Sequence, residues 1–491
     1  MVRHFSRRYS GIAAAATVLA LSALPVTAGG QAAVQSISQQ DKQQGAKAHP
    51  QLVAEFGGAV TGPQASYVET VGKNVAVQSG LGNARGDFTV TLLNSPVNNA
   101  FAVPGGYVYV TRQLVALMNN EAELAGVLGH EVGHVAARHA AKRQSAANRN
   151  AVIGVLGQLL LGGLLGDSAI GQLGQQIFSQ GSQLLTLRYS RTQETEADNL
   201  GITYLKRAGY DPRAMSTVLE SLADQNALEA RLRGSPNGTP EWASTHPDPA
   251  LRVRAALTRA GSGSTGKTNR DSFLASIDGL TYDDDPRQGI VDGRRFIHPV
   301  LRLQFEAPEG YFLVNGTRSV SINGQSGKAE FATGPYSGDL NAYIGSAFAA
   351  LTGQDQAAIG PQSVQRTTVS GIPAAYGTAR VQTSSGQVDV VVFAYEMAKD
   401  QAFHFVTITQ AGGASVFNGM FASMRRVAAT EAGSVRARKL EVLTVRQGDT
   451  AQSLAARMAY TSAQLDRFLI LNGLRGDSKL AVGRKIKIVS Y

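Results

Sequence analysis

The chain has 491 residues, with 46 Lys+Arg against 36 Asp+Glu (formal charge +10), 43% hydrophobic and 17% charged residues. That length implies about two to four domains, and the apolar content is enough for packed cores rather than a disordered chain. Cysteine is absent, which excludes disulfides, iron–sulfur clusters, thiolate zinc, a cysteine nucleophile and a lipidated cysteine, so any metal must be held by His, Asp or Glu.

Arg3, Arg7 and Arg8, the apolar stretch from Ile12 to Leu24 and the small-residue site Val26-Thr27-Ala28 predict a cleaved signal peptide over residues 1–28, and with it a periplasmic location. The apolar stretch is shorter than the ~20 residues a membrane span needs. Removing these three arginines leaves +7, and from Ser434 onward there are eleven Lys+Arg and four Asp+Glu. The positive surplus therefore belongs to the C-terminal module, and no nucleic-acid surface is expected.

Residues 29–48 are polar and Gln-rich and are expected to be flexible. A domain follows over 49–262, in which helical patterns alternate with one β-rich passage. Phe88–Leu93 and Tyr107–Thr111 alternate as strands, with a turn at Pro104-Gly105-Gly106. Asn120 to Glu123 opens a capped helix whose Leu124, Val127, Leu128, Val132 and Val135 line one apolar face. Residues 152–166, rich in Leu and Gly, suit a buried helix or a hairpin making peripheral membrane contact. The glycine- and serine-rich start at Gly261 marks 263–289 as a linker. Residues 290–432 form a second α+β domain of unknown role, with strands at Leu301–Phe305, Val388–Tyr395 and Phe403–Thr409 and a helix at Val416–Met424. His298 and His404 lie in its strands, where packing is expected of them.

The chemistry concentrates in His130-Glu131-Val132-Gly133-His134. Histidines at i and i+4 leave one helix face and reach a single ion, and the adjacent Glu is placed as general base toward a metal-activated water. A catalytic zinc ion takes three protein ligands. The third is sought in Arg191-Thr-Gln-Glu194-Thr-Glu196-Ala-Asp198, where Glu194 and Asp198 share a helix face. Glu194 suits ligation, and Asp198 suits accepting the outer N–H of a ligand histidine. Glu196 points away and is expected to face solvent.

The segments Asn99–Gly106, Glu121–Val135, Arg138-His139, Ser190–Asp198 and Thr245-His246-Pro247 with Arg252 resemble the gluzincin family of CAAX prenyl endopeptidases, HtpX and the periplasmic BepA-type proteases. The resemblance covers about residues 50–260. It implies one Zn2+ held by His130, His134 and Glu194, with Glu131 as general base and Asp198 supporting a ligand. It also implies endopeptidase action on misfolded or assembling envelope and outer-membrane proteins, in quality control. His246 then has two readings: it occupies the open zinc position and keeps the site latent, or it assists the oxyanion with Arg252 nearby. Two features of family branches are not evident in the sequence: transmembrane helices and a helical repeat after the protease.

A second resemblance lies at 438–491. Thr444–Thr450, Ser453–Arg457, Leu465–Leu471, Asn472-Gly473-Leu474 and Val482–Ile488 are similar to a βααβ LysM module. This implies peptidoglycan binding in a groove around Gly448, Asp449, Thr450, Asn472, Gly473 and Leu474. The module is then expected to act as a tether, dispensable for catalysis.

The fold class expected is α+β and multidomain: a mainly helical zincin domain with a small sheet, a second α+β domain and the small C-terminal module. The function expected is an exported zinc metalloendopeptidase. Two alternatives stand beside it: a peptidoglycan peptidase or amidase, and a chaperone-like binding protein with a latent zinc site.

Overall fold

The computed structural model describes residues 35–142, 189–232, 246, 249–263, 265–351, 359–383 and 386–491. The expected signal peptide and the 152–166 segment lie outside them. No helix among the described residues is long and apolar enough to cross a membrane.

The first domain is built around the helix Glu121–Ala136. Asn120 caps it by accepting from Glu123 N at 3.0 Å, and the Glu123 carboxylate takes Asn119 N at 2.7 Å and the Asn120 amide at 3.0 Å. These contacts satisfy amides that the helix start leaves free. The helix is buried almost throughout, between Pro63–Ala76, Arg191–Arg207 and Ala214–Leu232. A three-stranded sheet of β1 (Thr89–Leu93), β2 (Ala100–Val103) and β3 (Tyr107–Thr111) has the order β1-β3-β2, which leaves β2 at its edge.

Two segments differ from expectation. Residues 39–48, expected to be flexible, belong to a helix, Gln39–Glu55, capped by the Ser38 hydroxyl. Residues 263–289, expected as a linker, contain the helix Arg270–Ile277 and the strand Thr281–Tyr282. Phe273, Leu274 and Ile277 are buried, so the apolar content of this stretch outweighs the glycines before it.

The 290–432 domain is a seven-stranded antiparallel sheet with a smaller four-stranded one. In the long strand Gly386–Ala398, Val388, Val390, Val392 and Ala394 pack toward the helix Leu340–Ala349. The alternate Val391, Phe393 and Tyr395 pack toward Phe417 and Phe421. Burial on both faces explains its unbroken apolar run. His404 is half-buried beside the Tyr343 hydroxyl at 2.9 Å, a packing position.

The C-terminal module pairs Arg438–Thr444 with Lys485–Ser490, and Thr281–Tyr282 adds a third strand. It does not hang free. Leu440, Leu454, Phe468, Leu471, Ile486 and Ile488 belong to the same hydrophobic cluster as Leu114, Leu124 and Leu128 of the first domain.

Candidate metal centre

The site arises where the helices Glu121–Ala136 and Arg191–Arg207 cross closely. Gly129 and Gly133 form a groove on one helix, and Ala197 and Gly201 face it from the other. A Cβ on Gly133 would stand 3.2 Å from Ala197 O, and one on Gly201 would stand 3.0 Å from His130 N. Each pair is spaced by four, so each presents one small-residue stripe. This approach carries Glu194 and Asp198 to the two histidines. Ser190 fixes the start of the second helix through a capping box with Gln193.

The ligand atoms of His130, His134, Glu194 and His246 all lie within 4.8 Å of one another, and all four residues are buried. His130 Nε2 and His134 Nε2 are 3.0 Å apart. Glu194 lies 3.6 Å from the first and 3.5 Å from the second. Asp198 Oδ1 is 2.9 Å from His130 Nδ1, so the imidazole donates outward and turns the lone pair of Nε2 inward. Arg252 holds Asp198 through two nitrogens, at 2.8 and 2.6 Å, and reaches Glu194 at 2.7 Å. Its guanidinium is thus committed to carboxylates rather than turned toward an oxyanion.

Burial alone would push the Glu194 carboxyl up, but His246, His134 and His130 hold it well below the ordinary carboxylate value. Burial likewise opposes ionisation of Asp198, yet Arg252 and His130 hold it down to about 2. Glu131 differs: burial pushes its carboxyl up. Among the described residues neither Glu131 oxygen has a hydrogen-bond partner, and His246 Nε2 stands 3.5 Å from one of them.

These residues fit a zinc ion. Two imidazole lone pairs and an ionised carboxylate converge in a buried space, and a cation between them removes the repulsion of like partial charges. Beside them, the Glu131 carboxylate has acceptor capacity to spare for a water.

His246 is 1% exposed. Its Nδ1 is 3.1 and 3.2 Å from the Glu194 oxygens and 3.3 Å from His130 Nε2, and its Nε2 is 3.3 Å from Ala100 O. Sequence reasoning missed Tyr189, which stacks on His134 with ring centroids 3.8 Å apart. Glu196 is half exposed as expected, but one of its oxygens turns back to His139.

The groove expected on the C-terminal module is not assembled from free side chains. Asn472 is 2% exposed, and its amide bonds Phe468 O and the Lys487 backbone. The polar atoms of its side chain are thus engaged within the module. Thr450 caps the helix Ala451–Ala455 and Asp449 accepts from Arg446 N, so both shape the turn in which Gly448 lies exposed. Gly473 lies against Asn119 of the first domain, and Leu474 packs on the shared core.

Two imidazoles and a carboxylate, with Glu131 next to the first histidine, make up a candidate zinc site of the gluzincin type. Residues 63–260 match Peptidase family M48, and residues 443–489 match the LysM domain, so the chain carries one domain of each kind. It is similar to the Beta-barrel assembly-enhancing protease of Yersinia pestis, 35% identical over 197 residues, which are 40% of this chain and 38% of that protein. The protein of that name from Escherichia coli (strain K12) is 34% identical over the same shares. The Mitochondrial metalloendopeptidase OMA1 of Schizosaccharomyces pombe is 30% identical over 217 residues, 44% of this chain and 59% of that protein. The chain thus spans 38% of the length of the two bacterial relatives.

Proposed function

We propose that the chain is an exported zinc metalloendopeptidase that hydrolyses peptide bonds of misfolded or assembling envelope proteins, and that its LysM domain engages peptidoglycan. The observation that carries the activity is the convergence of His130, His134 and Glu194 beside the buried carboxylate of Glu131. The names of the bacterial relatives support substrates related to β-barrel assembly, and the LysM match supports the peptidoglycan partner.

Zinc, when bound, supplies a Lewis acid that polarises the scissile carbonyl and makes water more acidic. His130, His134 and Glu194 would hold it. The chain's own work is proton handling and orientation. Glu131 accepts the proton of the attacking water on a carboxylate oxygen, then passes it to the departing amide nitrogen. Burial favours the protonated form of Glu131, which suits that return transfer. Asp198 and Arg252 keep His130 in the orientation that presents Nε2.

A second reading, a binding protein with a latent zinc site, is favoured by His246 sitting among the donors. One variant and the wild type together test both. Glu131→Gln should fold, bind one equivalent of zinc and cleave casein about 10²–10⁴-fold more slowly, the usual loss for a general base. Near-full proteolysis by the zinc-loaded variant overturns the mechanism. A wild-type protein that binds zinc but cleaves neither casein nor purified murein favours the binding reading.

A further inference from the structure

His130 and His134 are steadied in different ways. The outer nitrogen of His130 meets a carboxylate clamped by Arg252. The outer nitrogen of His134 meets another imidazole: its Nδ1 is 2.8 Å from Nδ1 of His139. His139 Nε2 is in turn 3.1 Å from Oε2 of Glu196.

The backbone is shaped for this contact. The site helix ends at Ala136, and Arg138 has φ +55°, in the left-handed region that favours glycine. That reversal returns His139 beneath His134, where it is fully buried. A non-glycine residue in this region costs of order 1 kcal/mol, and such backbone tends to be kept where neighbouring contacts require it. Glu196 stands on the same helix as Glu194 and Asp198, so one helix supplies a donor to the centre and a carboxylate behind each histidine. The Glu196 side chain is 48% exposed.

Proton polarity follows from the chemistry of the groups. An ionised carboxylate only accepts, so His139 Nε2 carries the hydrogen toward Glu196. In neutral His139 the Nδ1 is then a lone pair. His134 Nδ1 must carry the hydrogen between the two rings, and His134 Nε2 is left as a lone pair aimed at the centre. With the polarity reversed, an N–H would point at the cation.

We propose that His139, oriented by Glu196, is the positioning residue that fixes His134 in its metal-ligating tautomer. This rests on the zinc-site reading above. His139 is not among the four residues whose ligand atoms cluster, so it acts through His134 and not as a ligand. The arrangement is asymmetric: the support of His130 is locked inside the protein, whereas that of His134 ends on a half-exposed carboxylate.

The test is zinc affinity of the full chain, measured by competition with a chromogenic chelator, with the melting temperature of the metal-free protein recorded alongside. His139→Leu should weaken zinc 10–100-fold, the usual effect of losing an outer partner of a ligand histidine. His139→Asn, whose carbonyl oxygen can take the place of Nδ1 as acceptor, should recover part of that loss. Glu196→Gln should weaken zinc less, and should add nothing in the His139→Leu background, because its effect passes through the ring. A purely structural His139 would lower the metal-free melting temperature in both the Leu and Asn variants, with no recovery of zinc affinity by Asn. That result overturns the proposal, as does wild-type affinity in a folded His139→Leu protein. Failure of the underlying reading looks different: the wild type would bind no stoichiometric zinc, or His130→Ala would retain it.

Discussion

The imidazole of His246 stands between the donor set and β2, the edge strand among the described residues, touching Glu194 and His130 on one side and the Ala100 carbonyl on the other. A zinc hydrolase needs an open position there for water and substrate, and an extended peptide commonly adds to a sheet edge through its main chain. The ring competes for both places. Burial works against the imidazolium, but Glu194 and Glu131 outweigh it and raise His246 above its ordinary value, so the residue is attached to the centre by charge as well as by fit. His246→Ala is therefore expected to increase casein cleavage several-fold by enlarging the competent fraction, with zinc still bound by the other three residues. A large fall in turnover at unchanged zinc content would instead make His246 part of the oxyanion support. The candidate donors and the acid behind them were legible in the sequence because two helical spacings place them: i, i+4 for the histidines, and i, i+4 again for Glu194 and Asp198. Tyr189 and the contact of His139 were not legible. One depends on stacking across separate segments and the other on a chain reversal at Arg138, which no turn-forming residue type announces.

At the scale of elements, the centre is only as precise as the crossing of two helices. Gly201 packs so tightly that an added Cβ would lie 2.7 Å from the Met215 methyl and 3.0 Å from His130 N. The methionine end can give way, but the backbone nitrogen of a ligand residue cannot. Gly201→Ala is expected to push the helices apart by a few tenths of an ångström. It should cost about 1–3 kcal/mol in stability, the usual range for overpacking, and weaken zinc binding. Thermal unfolding with and without zinc separates the two effects, and an alanine variant with unchanged melting and zinc affinity would show that the crossing has slack. Replacing the exposed Gly209, where an added Cβ meets nothing, provides a control for glycine substitution itself, with only left-handed backbone strain at φ +76° to consider. The small-residue stripes were present in the sequence, Gly129 with Gly133 and Ala197 with Gly201, but no apolar period marks them, so they passed as neutral helix positions. The folded stretch 270–282 was missed for the opposite reason. The glycines and serines of 261–266 signal a break in the chain, and the short apolar helix after them finds its partners only in distant segments.

For the whole molecule, the decisive contact is Lys487. Its ammonium is buried inside the C-terminal module and donates to Ala116 O at 2.8 Å, Leu117 O at 3.1 Å and Met118 O. These carbonyls end the helix Arg112–Leu117, where the last C=O groups have no N–H donors within the helix and the helix end is negative. Two residues further on, Asn119 and Asn120 start the helix that bears His130 and His134. The module thus caps one helix at the point where the site helix begins. Arg270 donates to Lys485 O at 2.6 Å, Arg231 pairs with Asp466 at 2.7 Å, and Phe468 and Ile486 lie in the core shared with Leu124 and Leu128. A module packed in this way is expected to be integral to the fold, against the sequence-based expectation that catalysis would survive its removal. A chain ending near Ala432 is expected to expose this core and lose both soluble folding and proteolysis. Because such a truncation cannot distinguish a lost cap from a lost core, the sharper variant is Lys487→Met, which keeps the apolar stem and removes the three donors. Leaving buried carbonyls unpaired costs about 1–3 kcal/mol each, so the melting temperature should fall by several degrees and zinc affinity should fall with it. If Lys487→Met melts and binds zinc like the wild type, and the chain to Ala432 still cleaves casein, the module is an appendage after all, and peptidoglycan binding is the only work left for it.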